Sequence, residues 1–147
     1  MGPQAAILSI EATLPHLRAA QDFVRRHAAS RGVPESLCPK IDLVVEELFM
    51  NIANHAHPKT REEMEIHCLP LEEDVGERPQ FCLVFKDWGP PFNPLDPPPP
   101  SLEPDIELRP IGGLGIHMVT RMTDSLAYVR EGDHNIVTAC FRLPGRE

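Results

Sequence analysis

Three side chains with chemically useful groups recur every four residues in the stretch KIDLVVEELFMNIANHAHP, residues 40–58. They are Glu47, Asn51 and His55. Because four steps at about 100° per residue advance a helix by one turn and roughly 40°, these side chains form a narrow polar strip. After its first residue the stretch contains neither Lys nor Arg, which a helix that only covers a core would carry on its exposed side. We therefore expect the strip to face another group, the alternative being a solvated helix face.

A second candidate lies in FKDWGPPFNP, where a predicted strand ends at Asp87 and breaks at Gly89. An aspartate at a strand end is often a turn former that accepts hydrogen bonds from the backbone. At the bottom of a cleft, the same carboxylate could accept a hydrogen bond from an exocyclic amine such as that of adenine. Gly89 would then let the backbone approach a flat ring. The sequence leaves both roles of Asp87 open.

A third candidate is the glycine-rich run IGGLGIHMV, in which Gly112, Gly113 and Gly115 lead into a predicted helix. Glycines permit positive φ, so successive backbone amides can converge on an anion near the positive end of the helix. The run predicts a phosphate cradle, and a flexible hinge is the alternative. It is neither a Rossmann motif after a strand nor a P-loop.

Composition limits the classes of protein to which the chain can belong. With 147 residues, we expect residues 1–147 to form a single domain with a real hydrophobic core. A net charge of −8 with scattered Lys and Arg argues against nucleic-acid binding. The four cysteines form no CxxC pair, so we expect neither a zinc site nor disulfides, and a reducing cytoplasm fits. No apolar run approaches the ~20 residues that span a bilayer, so a soluble protein without membrane contact is predicted.

The elements that must position these candidates follow from periodicity and from proline and glycine. The predicted order is strand, helix, helix, strand, strand, proline-rich loop, helix, strand, strand. The second helix runs from about Pro39 to His57, and the last two strands form a hairpin that turns near Gly132. We therefore predict an α+β two-layer sandwich, a mixed and mostly antiparallel sheet with helices on one face.

The three motifs occur in an order that resembles a known superfamily. Residues 41–57 resemble the N box, 84–94 the first glycine box and 110–124 the second glycine box of the GHKL ATPases, which have the Bergerat or histidine-kinase-like ATPase fold. Within that superfamily, the chain is most similar to the anti-sigma-factor serine/threonine protein kinases. The resemblance covers nearly the whole chain and implies that ATP and Mg²⁺ are its cofactors.

The resemblance implies roles for the polar strip. Asn51 would hold Mg²⁺ through its side-chain oxygen while the ion bridges the ATP phosphates. Glu47 would be the catalytic general base that orients or deprotonates the substrate hydroxyl. His55 would lie at the edge of the nucleotide pocket. Glu46 lies about 100° away on the helix and is expected to face solvent or a partner.

The two glycine boxes would bind the rest of the nucleotide. The resemblance implies that Asp87 binds the adenine amine and that Gly89 and Phe92 shape the base pocket. Backbone for the phosphates would come from the glycine run, namely Gly112, Gly113, Leu114, Gly115 and Ile116. Asn135 and Thr138 on the last hairpin are weaker candidates for the pocket wall. Trp88 is expected either to contact a partner or to pack beside the nucleotide.

The proline-rich segment 93–110 occupies the position of the nucleotide lid. Polyproline is stiff and extended, so a lid that folds into helix around ATP is not expected, and the segment could instead bind a partner. Asn93 replaces the usual aspartate of the family. Neither glycine box contains a lysine, so the phosphate charge would fall to Mg²⁺, backbone amides and Arg109.

These implications give one main hypothesis and two alternatives. The main one is an enzyme that binds a sigma factor and phosphorylates an antagonist, or anti-anti-sigma, protein, and a homodimer is compatible with it. The first alternative is a non-catalytic binding module that regulates a partner depending on its nucleotide. Glu47 favours the enzyme, since a pure binding module would not need a base. A two-component histidine kinase would need a dimerisation helix pair that carries a histidine, for which the chain is not expected to have room.

Overall fold

The structure, a computed structural model, describes residues 4–71, 78–95 and 113–144. Within these ranges the order of elements is the one predicted from the sequence, with short 3-10 turns before the first two helices. The bounds are β1 Ala6–Glu11, α1 Leu17–Ser30, α2 Cys38–His55, β2 Glu63–Cys68, β3 Gln80–Asp87, α3 Gly113–Met122, β4 Ser125–Glu131 and β5 His134–Arg142.

The five described strands form one open sheet in the order β1-β2-β3-β5-β4. Every neighbouring pair is antiparallel, and the predicted hairpin of β4 and β5 turns at Gly132, whose φ of 61° suits a residue without a side chain. In the centre of the sheet, Asp87 of β3 is directly opposite Asn135 of β5. The α+β class is confirmed, and the register brings two polar residues together at one end of the central strands.

The hydrophobic core lies between the sheet and the helices. On β3 the alternate residues Phe81, Leu83 and Phe85 are almost completely buried. Successive side chains of a strand point to opposite faces, so Asp87, two residues further on, belongs to the same face as these three. The strand therefore delivers a carboxylate to the helix-covered side of the sheet.

Helix α2 covers this core with the apolar stripe predicted from its sequence. The stripe consists of Ile41, Val45, Leu48 and Ile52, all of which are buried. Pro39 lies in the first turn of the helix, where its missing N–H breaks no hydrogen bond. No helix in the described ranges is long and apolar enough to cross a membrane.

The prediction that the cysteines form no disulfide was wrong for one pair. Cys82 of β3 and Cys140 of β5 are bonded, 58 residues apart in sequence. They are directly opposite in the antiparallel register, with their Cα atoms 4.1 Å apart, a relation that cysteine spacing alone does not show. Cys38 and Cys68 are free, and burial raises the pKa of the Cys68 thiol to about 12.

Candidate functional site

A cleft of about 350 Å³ opens between α2 and the ends of β3 and β5. Four residues to which the resemblance assigns a binding role line it, namely Asn51, His55, Asp87 and Phe92. The other lining residues are Leu48, Ile52, Ala56, Phe85, Pro94, Asn135 and Val137. The structure thus brings together groups from the predicted N box and the predicted first glycine box.

We call Glu47, Asn51 and His55 the helix side of the site. Asn51 and His55 line the cleft, and Asn51 is only 8% exposed. Glu47 lies one turn before Asn51, about 6 Å along the helix axis at 1.5 Å per residue, and it does not line the cleft itself. The polar strip therefore runs along the helix and out of the cleft.

Glu47 has the altered acidity expected of a proton acceptor. Its partial burial raises the pKa of the carboxyl above the ordinary value of 4.5, and the neighbouring charge of Glu46 raises it further. Neither effect is offset by an ion pair or hydrogen bond from any residue in the described part of the chain. A carboxylate with a raised pKa is a stronger base than an ordinary one, which favours proton acceptance.

His55 and Phe92 close one side of the cleft. Their rings stack with centroids 4.3 Å apart and an angle of 11° between their planes. His55 comes from the last turn of α2, and Phe92 comes from the loop after β3, so the stack ties the helix to that loop. Phe92 is 37% exposed, which places the stack at the mouth of the cleft.

We call Asp87 and Asn135 the strand side of the site. Asp87 is a turn former, because its Oδ1 accepts a hydrogen bond from the N–H of Gly89 at 3.0 Å. The same Oδ1 also accepts one from Nδ2 of Asn135 at 3.0 Å. Asp87 can therefore be both a turn former and an acceptor for a ligand amine. The turn uses Oδ1, and Oδ2 has no partner among the described residues.

Gly89 is needed for a different reason than the one expected from the sequence. A Cβ at this position would come within 2.5 Å of the Cα of Ala56, at the end of α2. The backbone of the loop after β3 therefore lies directly against the backbone of α2, with no room for a side chain. In this structure Gly89 contacts the helix rather than lining the cleft.

Asn135 is the main functional candidate to which sequence reasoning gave too little weight. It is 2% exposed and bonded to Asp87, whereas Thr138, paired with it as a weak candidate, does not line the cleft. Val137 lines the cleft, so its neighbour Thr138 points to the other face of the sheet. The only signal for Asn135 was a polar residue inside a predicted strand.

A family model supplies the observation that decides the class of this protein. The model of the histidine kinase-like ATPase domain matches residues 10–141. The chain belongs to the histidine kinase-like ATPase domain family. Membership implies that this ATPase domain binds a nucleotide, and the cleft described above lies within the matched residues.

Solved structures with the same fold include one that contains two domains of a bacterial protein. The RsbU and RsbW domains of Rv1364c from Mycobacterium tuberculosis superpose with a TM-score of 0.65 at 14% sequence identity. The match covers 98% of the present chain and 34% of that chain, so this ATPase domain spans about a third of its length. At this identity the similarity shows the fold alone.

A second similar structure is the histidine kinase domain of the blue-light activated histidine kinase EL346 from Erythrobacter litoralis. It has a TM-score of 0.46 at 20% identity, and the match covers 88% of this chain and 60% of that chain. No curated protein sequence matches the ATPase domain.

The residues of the ATPase domain fit a magnesium ion that is held mainly by nucleotide. The buried amide of Asn51 makes no hydrogen bond to the described residues, and it lines the cleft, so its oxygen is available as a ligand. Among those residues no group of three His, Cys, Asp or Glu side chains could hold a metal. One amide oxygen with phosphates and waters is a ligand set that Mg²⁺ accepts.

The predicted phosphate cradle is only partly within the described residues. Gly112, like Arg109 and most of the proline-rich segment, lies outside them, and Gly113, Leu114 and Gly115 form the start of α3. Ile116 is half-buried and packs against the hydrophobic core. Helix α3 therefore begins at the glycine run, as the phosphate-binding hypothesis requires, and the binding role of these residues stays a prediction.

Trp88 lies outside the cleft although it follows Asp87. The guanidinium of Arg61 sits over its ring at 4.1 Å from the centroid, and the ring of His134 is 5.3 Å away. With Asp87, it lines a second cavity of about 260 Å³. Trp88 is thus half-buried beside the strand side of the site and does not pack against the cleft expected to hold nucleotide.

Proposed function

We propose that this ATPase domain is an anti-sigma-factor-type serine/threonine protein kinase that acts in the cytoplasm. In this proposal it binds a sigma factor and, with Mg-ATP, transfers phosphate to a serine or threonine of an antagonist protein. The observation that carries the proposal is the joint placement of Asn51 and Asp87 in one cleft, with the unpaired carboxylate of Glu47 one turn along α2.

Each residue of the site has a separate role in this proposal. Asp87 would accept a hydrogen bond from the exocyclic amine of adenine, and Phe92 with His55 would border the base. Asn51 would hold Mg²⁺, which when bound would neutralise charge on the phosphates. Glu47 would accept the proton of the substrate hydroxyl. In a protein of net charge −8, the phosphates need that cation because the described cleft lining contains no Lys or Arg.

The proposal also includes binding to protein partners. The M. tuberculosis structure contains an RsbW domain together with an RsbU domain, which agrees with a domain that works with protein partners. Segment 93–110 is proposed to be the part of the single domain that covers the nucleotide or contacts a partner. Dimerisation of the chain stays a prediction.

Isothermal titration calorimetry with Mg-ATP tests the nucleotide site. Wild-type protein should bind Mg-ATP, and EDTA should weaken the binding strongly. Asn51→Ala should remove the magnesium dependence while the fold is kept, because alanine is well tolerated in a helix. The exposed Asn54→Ala, on another side of α2, is the matched control. An affinity in Asn51→Ala that still depends on magnesium would contradict the assignment of Asn51.

A phosphorylation assay tests the kinase activity. Proteins that co-purify with the chain are incubated with it and Mg-ATP and analysed by mass spectrometry for phosphoserine and phosphothreonine. A modified antagonist is expected. Should wild type bind Mg-ATP but leave every co-purified protein unmodified, the nucleotide-dependent binding module would replace the kinase.

A further inference from the structure

The side-chain amide of Asn135 makes the densest set of hydrogen bonds in the described site. Its Nδ2 donates to Oδ1 of Asp87 at 3.0 Å and to the carbonyl oxygen of Pro90 at 2.9 Å. The residue is 2% exposed, so water does not compete for these bonds. Both protons of the amide are therefore used, one on the carboxylate of the strand side and one on the loop after β3.

The oxygen of the same amide is equally occupied. Oδ1 of Asn135 accepts from the hydroxyl of Tyr128 at 2.6 Å, from the N–H of Phe92 at 3.3 Å and from the guanidinium of Arg130 at 3.3 Å. Rotating the amide by 180° would turn Nδ2 toward three donors and the oxygen toward two acceptors. The surroundings therefore fix the orientation of Asn135 and, with it, the donor that faces Asp87.

This arrangement leaves one oxygen of Asp87 for a ligand. Oδ1 accepts from Asn135 and from the N–H of Gly89, and no described residue donates to Oδ2. Among the described residues, only Nε of Arg31 is both sealed from solvent and without a partner. Oδ2 is therefore not sealed from solvent, and Asp87 lines both the cleft and the cavity beside Trp88. When the carboxylate is ionised, Oδ2 can only accept a hydrogen bond.

We infer that Asn135 is a positioning residue that gives the cleft its preference for a purine with an exocyclic amine. By holding Oδ1 of Asp87, it presents Oδ2 as a fixed acceptor for an N–H donor of the base. The inference rests on the proposed nucleotide function and adds a determinant of specificity to it. Asn135 acts through Asp87 and does not need to touch the nucleotide.

A purely structural role of Asn135 makes a different prediction. Its bonds to Pro90 and Phe92 also hold the loop after β3 against the β4–β5 hairpin. If that were its whole contribution, its loss would weaken the binding of every nucleotide by the same factor. The discriminating quantity is therefore the ratio of two affinities, one for a base with the amine and one for a base without it.

Calorimetry measures the Kd of two ligands, Mg-ATP and magnesium purine riboside triphosphate. The second ligand lacks the 6-amino group of adenine. Wild type should prefer ATP by about tenfold or more, the value of one hydrogen bond to a charged group. In Asn135→Ala the preference should fall to within about twofold of unity, whatever the change in the Kd of the analogue. Thr138→Val, on the same strand but on the other face, should keep the preference.

A milder variant protects the test if Asn135→Ala does not fold. Tyr128→Phe removes one donor from Oδ1 of Asn135 and keeps the ring, so it should fold and lower the preference for ATP about two- to threefold. An unchanged preference in Tyr128→Phe would then overturn the inference. So would an equal loss of both nucleotides in a folded Asn135→Ala.

The affinities of wild-type protein distinguish a failure of the specificity role of Asn135 from a failure of the proposed nucleotide binding. If wild type binds both nucleotides with the same affinity, nucleotide binding by the cleft stands, but the contact of Asp87 with the amine and the role of Asn135 in specificity are both overturned. If it binds neither nucleotide, the proposed function is overturned, and the inference that rests on it is overturned as well.

Discussion

The two sides of the cleft differ in how much of their hydrogen bonding the protein itself supplies. On the strand side, Asp87 and Asn135 are joined to each other and to the surrounding loop and hairpin, and Asn135 is almost fully buried. On the helix side, the side chains of Asn51 and Glu47 make no hydrogen bond to the described residues. One side is organised before any ligand arrives, and the other has polar groups that still need partners.

The difference suggests which property each side controls. A preorganised acceptor loses little conformational freedom on binding, so the strand side should set the affinity and selectivity for the base. Groups without internal partners are free to bind phosphate, cation and substrate hydroxyl, so the helix side should set the chemistry. A variant of Glu47 should therefore change phosphorylation and leave nucleotide affinity unchanged, whereas a variant of Asp87 should change that affinity.

The largest effect is expected for Glu47→Ala on the helix side. Removal of a general base should slow phosphorylation of an antagonist protein by about 10²–10⁴-fold, with the Kd of Mg-ATP unchanged. Single-turnover phosphorylation and calorimetry measure the two quantities. Glu46→Ala is the matched control and should phosphorylate like wild type. Equal rates in Glu47→Ala and Glu46→Ala would show that Glu47 is not the base.

On the strand side, Asp87→Asn should weaken the binding of Mg-ATP by about 10²-fold. The amide oxygen would be held by the N–H groups of Gly89 and Asn135, which leaves an NH₂ where Oδ2 was. A donor would then face the amine of adenine. Calorimetry measures the loss, and the exposed Asp133→Asn on the adjacent turn is the control. Affinity equal to wild type would make the assignment of Asp87 wrong.

Gly89→Ala tests the close contact between the loop after β3, which follows Asp87, and the end of α2. The added Cβ would lie 2.5 Å from the Cα of Ala56, so the loop and the end of α2 must separate. Such overpacking should lower the free energy of unfolding by about 1–3 kcal/mol, measured in urea without nucleotide. Pro91→Ala, at an exposed position of the same loop, should change it much less. Unaltered stability in Gly89→Ala would mean that this contact is not formed.

The smallest effect concerns the acidity of Glu47. The pKa of Glu47 is raised in the folded state, so this carboxyl stabilises the fold fully at pH values below 4.5, its ordinary pKa. That contribution is lost as the pH rises through the raised pKa. Glu47→Gln should therefore gain stability over wild type between acidic and neutral pH. Thermal unfolding across that range measures the gain, with the exposed Glu131→Gln as control. A constant difference across the range would contradict the raised pKa.

The helix side could be predicted from the sequence because it depends on local geometry. Residues four apart on a helix share a face whatever the rest of the fold does, so the spacing of Glu47, Asn51 and His55 was sufficient. The buried stripe that begins at Ile41 followed from the same rule. The placement of Asp87 at the end of a strand was also predictable, since Gly89 and the prolines after it stop the sheet.

The strand side could be predicted only in part because it depends on register. Asp87 and Asn135 are 48 residues apart, and they meet only because β3 and β5 pair in one alignment. The same alignment joins Cys82 to Cys140, which the expectation of free cysteines missed for the same physical reason. A shift of one residue would turn each of these side chains to the other face of the sheet.

The position of Trp88 gives the molecule an internal optical probe. It is the only tryptophan of the chain, it follows Asp87 directly, and its ring lies close to both Arg61 and His134. A cation above the indole and an imidazole beside it make its emission sensitive to small displacements of the loop that holds the strand side. Intrinsic fluorescence excited at the indole therefore comes from a single place, next to the proposed base pocket, without any label.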